Sequence, residues 1–284
     1  MKCVILIDNT PHHERDLFSE HGLSIYIEAD GLRWLVDVGA SGQFLDNARV
    51  LGVPVEDVDF LILSHGHSDH TEGLSSFLQA NNKAKVVMSP YILSHEFFSY
   101  RLTARRNISI HHAVVEAHPE RFLLPGKSQN LSEHVAVICE IEQIYPTPKA
   151  NRKLYVARRN DPDSEQPDAF RHETAVAIHT PKGLFVFSGC CHNGILNVLQ
   201  DCTRYFNDNR VIACIGGTHL VDSDPTNCYE SDQELRTLGA ELLSKYPGMQ
   251  LITSHCTGIL ARRQLALSMG DALQSFHTGY CFTG

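Results

Sequence analysis

LILSHGHSDHTEG, residues 61–73, closes a short apolar run with three histidines and an aspartate inside six positions. Clustered imidazoles are poor core material, because each ring carries two nitrogens that need partners. They are good metal ligands, and a neighbouring carboxylate makes the set suitable for zinc, iron or manganese. Residues two apart in an extended loop face the same way, so His65 and His67 can approach one ion together. Asp69 and His70 follow at the entry to a helix, marked by Leu74, Phe77 and Leu78, and point differently. They suit a second ion beside the first.

The cluster supplies four ligands at most, so other segments must complete the site. Four more stretches share its form, an apolar strand-like run followed by a turn of small residues with a polar group. GLRWLVDVGAS (31–41) delivers Asp37, and GLFVFSGCCHNG (183–194) delivers Cys190, Cys191 and His192. RVIACIGGTHL (210–220) delivers His219, and MQLITSHCTG (249–258) delivers His255 and Cys256. Sites form where strands end and loops converge. His192 and His255 are therefore the expected additional ligands. His219 is a candidate for substrate binding or for supporting a ligand, and Gly216–Gly217 beside it would let backbone approach the site closely. Asp37 is expected either to orient a ligand histidine or to fix its own loop. Cys190 is a candidate thiolate donor or a buried core residue. His172 and Glu173 in FRHETAVAI are candidates for the border of the site, whereas His12, His13, His111 and His112 read as surface residues.

Helical patterns over Asn193–Leu199, Glu230–Leu243 and Gly258–Leu267 alternate with the strands and indicate an α/β protein. Residues 91–170 read as a polar, irregular insertion or lid in one domain spanning 1–284. They include the charged stretches RLTARRN and ARRNDPDSEQPD and an expected loop near 157–168. The chain has 284 residues, 43% hydrophobic and 20% charged, enough for a sizeable core and unlike a disordered protein. A net charge of −9 argues against nucleic acid as partner. No apolar stretch approaches the length of a membrane span, and the N-terminus reads as a first strand rather than an export signal. Nine cysteines without regular spacing do not form a disulfide framework, so a reducing cytoplasm is the expected setting. The oligomeric state is left open.

The SHGHSDH stretch, with DVGAS before it, resembles the metallo-β-lactamase superfamily. HGLSIYIE, FLDNARVLGV, GCCHNGILNVL, GGTHL and HCTG extend the likeness to one branch, which holds metal-dependent hydrolases and a methanopterin-pathway synthase acting on a dihydropterin phosphate. The resemblance implies a four-layer αββα sandwich with two mixed β-sheets and outer helices. It implies one or two divalent ions, zinc first, with manganese or iron as alternatives. By position, His65, His67 and His192 would hold the first ion, and Asp69, His70 and His255 the second. This sequence departs from the pattern in two places. Ser188-Gly189-Cys190 stands where many members carry a bridging aspartate, and a GHTPG-like turn before that strand is missing. The implied activity is hydrolysis of a small ester, lactone or phosphoester, with Asp69 orienting the nucleophile or moving its proton. The alternatives are transfer on a phosphorylated dihydropterin, which calls for a basic and aromatic pocket (Arg101, Arg105, Arg106, Tyr91 and Phe97 are available), or metal-dependent binding without catalysis.

Overall fold

Two seven-stranded sheets dominate the computed structural model, which describes residues 1–102 and 104–284. In spatial order the first contains Cys281–Thr283, Lys2–Ile7, Ser24–Ala29, Leu32–Val36, Phe60–Ile62, Lys85–Val87 and Phe122–Leu123. The second contains Leu273–Ser275, Gln250–Thr253, Val211–Gly216, Gly183–Ser188, Ala175–Thr180, Val135–Ile138 and Gln129–Asn130. Each sheet is antiparallel at one end and parallel at the other.

The strands read as nearly unbroken apolar runs because both of their faces are buried. Along Lys2–Ile7, Cys3 and Ile5 face the opposite sheet, while Val4 and Leu6 face the helices. The central core joins Ile25, Trp34, Val36 and Ile62 of the first sheet to Val137, Ile178, Phe187 and Ile215 of the second. Helices Gln43–Leu51 and Leu74–Ala80 cover the outside of the first sheet through Phe44 and Phe77. Helices Ile195–Phe206, Asp232–Lys245 and Ile259–Met269 cover the second through Leu199, Leu242 and Leu265. The result is the expected four-layer sandwich, and the helices after His70, His192, Glu230 and His255 lie where the sequence periodicity puts them.

Segment 91–170 differs from the sequence reading. Val135–Ile138 is an inner strand of the second sheet, with all four residues buried. His95–Arg101, Ala104–Asn107, Leu154–Arg158 and Asp161–Pro167 build a separate four-stranded sheet. The loop expected near 157–168 is therefore a hairpin, with Tyr155 opposite Pro167 and Arg158 opposite Asp161. Its second strand is a mostly exposed edge, so no apolar alternation marks it in the sequence. Thr103, within RLTARRN, lies outside the described residues. His112 also departs from its expected surface position, since it is only partly exposed and both ring nitrogens are buried without side-chain hydrogen-bond partners among the described residues.

Candidate metal centre

Five parallel strands deliver their polar residues to one edge of the sandwich. Four of them turn there through a left-handed residue that is not glycine: Asp37 (φ 60°), Cys191 (φ 56°), His219 (φ 50°) and Cys256 (φ 47°). Such conformations cost of order 1–3 kcal/mol each and persist where the surroundings hold them. Gly217 allows the turns to approach one another. A Cβ there would overlap Cys256 Sγ and lie 2.7 Å from the carbonyl oxygens of Gly189 and His255.

His65, His67 and His192 form a triangle of rings, with centroids 4.5–4.9 Å apart. His65 and His192 share a 4.8 Å donor set with Cys190, whereas His67 groups with Asp168 and His172. Beside the triangle, Asp69, His70, Cys190 and His255 bring one donor atom each within 4.8 Å of one another. Thus all six expected ligands meet, and Cys190 stands with them.

Hydrogen bonds behind the rings decide which nitrogens are free. His65 Nδ1 donates to Ser64 Oγ (2.8 Å), and Ser64 Oγ donates to Asp37 Oδ2 (2.7 Å). His70 Nδ1 donates to the same Asp37 Oδ2 (2.7 Å). His255 Nδ1 donates to Asn9 Oδ1 (2.8 Å), and His192 Nδ1 to Asn151 Oδ1 (3.1 Å). Asn151 is held the right way round because its amide also donates to His192 O. With each Nδ1 used as a donor, each Nε2 presents a lone pair. The Nε2 atoms of His65, His67 and His192 are buried and lack any hydrogen-bond partner among the described residues. His70 Nε2 lies 3.0 Å from His255 Nε2, 3.2 Å from Cys190 Sγ and 3.5 Å from Asp69 Oδ2. The unpaired lone pairs of the first group call for a cation, and at His70 Nε2 that place is taken either by a proton shared with His255 Nε2 or by a metal ion.

His172 shows the opposite pattern. Its Nδ1 accepts from Gly66 N (3.0 Å), so its Nε2 donates to Asp168 Oδ2 (2.9 Å), and no lone pair remains. The His67–Asp168–His172 group is therefore a brace on the backbone between His65 and His67. Glu173 braces the other side, accepting from His192 N (2.6 Å) and Asn193 N (2.7 Å).

The electrostatics favour positive charge at the His70 position. Burial opposes charging His70, but the carboxylates of Asp69 and Asp37 hold its pKa well above the ordinary histidine value. Burial likewise opposes ionisation of Asp69, and the neighbouring histidines, His70 foremost, hold it well below the ordinary carboxylate value. Burial depresses His65 and His192 well below the ordinary value, His67 to about 3 and His255 to about 4, which leaves these four neutral and able to ligate. Burial pushes the Cys190 thiol well up.

A cleft of about 590 Å³ opens onto these groups. His67, Asp69, Cys190, His192, His219 and Cys256 line its floor. Arg101 and Arg106, from the small sheet, and Arg262, from the last helix, line its walls. His219 stands with its ring 4.1 Å from that of His192 and its Nδ1 buried without a partner among the described residues. Among the other basic and aromatic candidates, Arg105 is engaged by Glu165 and Tyr91 stacks on His95. Phe97 is buried beneath Gly66.

Several functional neighbours escape sequence reading. Asn9 and Asn151 are 246 and 41 positions from the histidines they hold, and nothing local marks them. Behind His255, buried Asp8 accepts from Ser254 Oγ (2.9 Å) and Thr10 N (2.8 Å) through one oxygen, while its other oxygen has no partner among the described residues. Burial raises its pKa to about 6. Between pH 4 and 6 the folded chain therefore holds a proton at Asp8 that the unfolded chain has released. That contribution to stability is present at low pH and is lost as the pH rises through 6, by about 3 kcal/mol in total. Urea unfolding of chelated protein is expected to show the stability difference between wild type and Asp8→Asn falling by about that amount from pH 4 to pH 7. A constant difference would assign Asp8 an ordinary pKa.

The family model for the metallo-beta-lactamase superfamily matches residues 19–169, more than half of the chain. The chain belongs to that superfamily. It is 26% identical to a 7,8-dihydropterin-6-methyl-4-(beta-D-ribofuranosyl)-aminobenzene-5'-phosphate synthase of Methanocaldococcus jannaschii. That alignment covers 98% of this chain and 95% of the relative. A solved metal-dependent hydrolase of the beta-lactamase superfamily superposes with a TM-score of 0.81 at 24% identity, over 100% of this chain and 99% of that one. Zinc-bound PqqB from Methylobacterium extorquens gives a TM-score of 0.57 at 11% identity, over the full length of both chains. At these identities the two structures establish the fold alone. No helix among the described residues is long and apolar enough to cross a membrane.

Proposed function

We propose that this chain is a metal-dependent hydrolase of small molecules with two ion positions, zinc first. His65, His67 and His192 hold one ion, and Asp69, His70 and His255 hold the other. The observation that carries the reading is the set of buried Nε2 atoms of His65, His67 and His192 that have no hydrogen-bond partner among the described residues, with the rings of His65 and His192 fixed in that tautomer from behind. A divalent ion bound here supplies Lewis acidity, which acidifies water near neutral pH and polarises a carbonyl or phosphoryl oxygen. Asp69 lines the cleft and remains anionic, so its carboxylate accepts a hydrogen bond from the attacking water and orients it. His219 lines the cleft beside His192, where its ring borders the substrate. The free state of all nine cysteines supports a reducing, cytoplasmic setting.

A second reading, group transfer, draws on the cleft walls and on the synthase relative. Arg101 and Arg106 make no ion pair or side-chain hydrogen bond among the described residues, and with Arg262 they suit a phosphate-bearing substrate such as a dihydropterin phosphate.

Metal analysis of protein purified without added metal is expected to find one to two equivalents of zinc, manganese or iron. The His65→Ala/His67→Ala protein is expected to lose at least one. Metal-free protein with full activity would end the proposal. A screen of esters, lactones and phosphoesters in isotopically labelled water then separates the readings, because hydrolysis places solvent oxygen in the product and transfer to another acceptor does not.

A further inference from the structure

Cys190 Sγ belongs to both donor sets. It lies within 4.8 Å of ligand atoms of His65 and His192 on one side, and of Asp69, His70 and His255 on the other. No other residue is shared between these two sets. The residue is 2% exposed, yet it is one of those that line the cleft. Its neighbour Cys191 turns away through a left-handed backbone and packs in the outer core among Leu199 and Cys214. Only the first cysteine of the pair is offered to the ions.

We infer that the Cys190 thiolate bridges the two ions, as a single sulfur donor common to both positions. This rests on the two-ion reading above and adds to it. A thiolate carries more than one lone pair, so one sulfur can bind two ions at once. On binding, the Cys190 S–H bond breaks, the proton leaves to solvent, and the sulfur donates a lone pair to each ion. The donor count then becomes four at each position: three histidines and the sulfur at one, Asp69, His70, His255 and the sulfur at the other. Four is the number zinc prefers, and it can expand to five while substrate is bound. A shared sulfur also selects for thiophilic ions. Zinc and cadmium gain from it, whereas manganese and magnesium prefer oxygen.

The test is cadmium NMR of the full chain, stripped with a chelator and reloaded with two equivalents of cadmium. The expected spectrum has two cadmium signals, both displaced into the thiolate-bound range. Both stay there in Cys256→Ser, which removes the other sulfur bordering the cleft. In Cys190→Asp, which restores a possible carboxylate bridge, both return to the range of nitrogen and oxygen ligation. Competition in that variant is expected to move the ion preference from zinc towards manganese. A wild-type spectrum with only one displaced signal would make Cys190 a terminal ligand and overturn the bridge, even if no Cys190 variant folds. Displacement that survives in Cys190→Asp would assign the sulfur to another residue. Two bound ions with neither signal displaced would overturn the bridge and leave the metal reading intact, whereas folded wild type that binds no cadmium would overturn both.

Discussion

Turnover by the Asp69→Asn protein is expected to fall about 100- to 10,000-fold, the usual worth of a positioned proton-handling group. The substitution keeps the shape and removes the charge and basicity. Asp69 Oδ2 is the carboxylate oxygen of the ligand cluster, 3.5 Å from His70 Nε2 and 3.6 Å from His255 Nε2, and the residue lines the cleft. An amide at this point can offer N–H or C=O, but it cannot hold the attacking water as an anion does. The ion held by His65, His67 and His192 should be retained, so loss of rate without loss of that ion is the signature. The measurement is steady-state kinetics on whichever substrate the screen identifies, alongside metal content. Near-wild-type turnover would remove Asp69 from the mechanism. Absence of turnover by fully loaded wild type on every substrate offered would favour a binding role for the chain.

The Asp37→Ala protein is expected to lose about 3–5 kcal/mol of stability and about 10- to 100-fold in metal affinity. Asp37 is fully buried and accepts from Ser64 N, Ser64 Oγ and His70 Nδ1. Leaving a buried donor unpaired costs about 1–3 kcal/mol. Partners behind metal-binding histidines are typically worth 10- to 100-fold in affinity. Asp37→Asn is the informative comparison. Asparagine tolerates the left-handed backbone at this position, whereas alanine is strained there as well. Urea unfolding of chelated protein reads the first effect, and zinc competition reads the second. An Asp37→Ala protein within 1 kcal/mol of wild type would mean that water replaces the carboxylate at little cost.

The fold and the outline of the site were legible for a definite physical reason. Strands buried on both faces must be apolar along their length, so the polar residues that end them stand out. His65, His67, Asp69, His70, His192 and His255 all occupy such ends, and in space they meet. What stayed hidden depends on tertiary neighbours. Asn9 and Asn151 choose the tautomers of His255 and His192 from distant parts of the chain. His172 has the composition of a ligand and is excluded only by the direction of two hydrogen bonds. Two strands of the small sheet are exposed and polar, Asp161–Pro167 over most of its length and Ala104–Asn107 at every residue, so period-two patterning is absent in them. Arg101 and Arg106 could be named from sequence, but their place on the cleft wall could not.

His65, His67 and His70 follow a strand of the first sheet, while His192 and His255 follow strands of the second. Each proposed ion draws ligands from both sheets, so a bound ion staples the two halves of the sandwich at their open edge. Bound ion is then part of folding stability by mass action: free ion at 100 times its Kd adds about 2.7 kcal/mol. The melting temperature should therefore climb with free zinc and fall with chelator, even with no substrate present. Inside a cell the same linkage would make the lifetime of the chain depend on metal supply, with starved molecules opening more often and reaching proteases sooner.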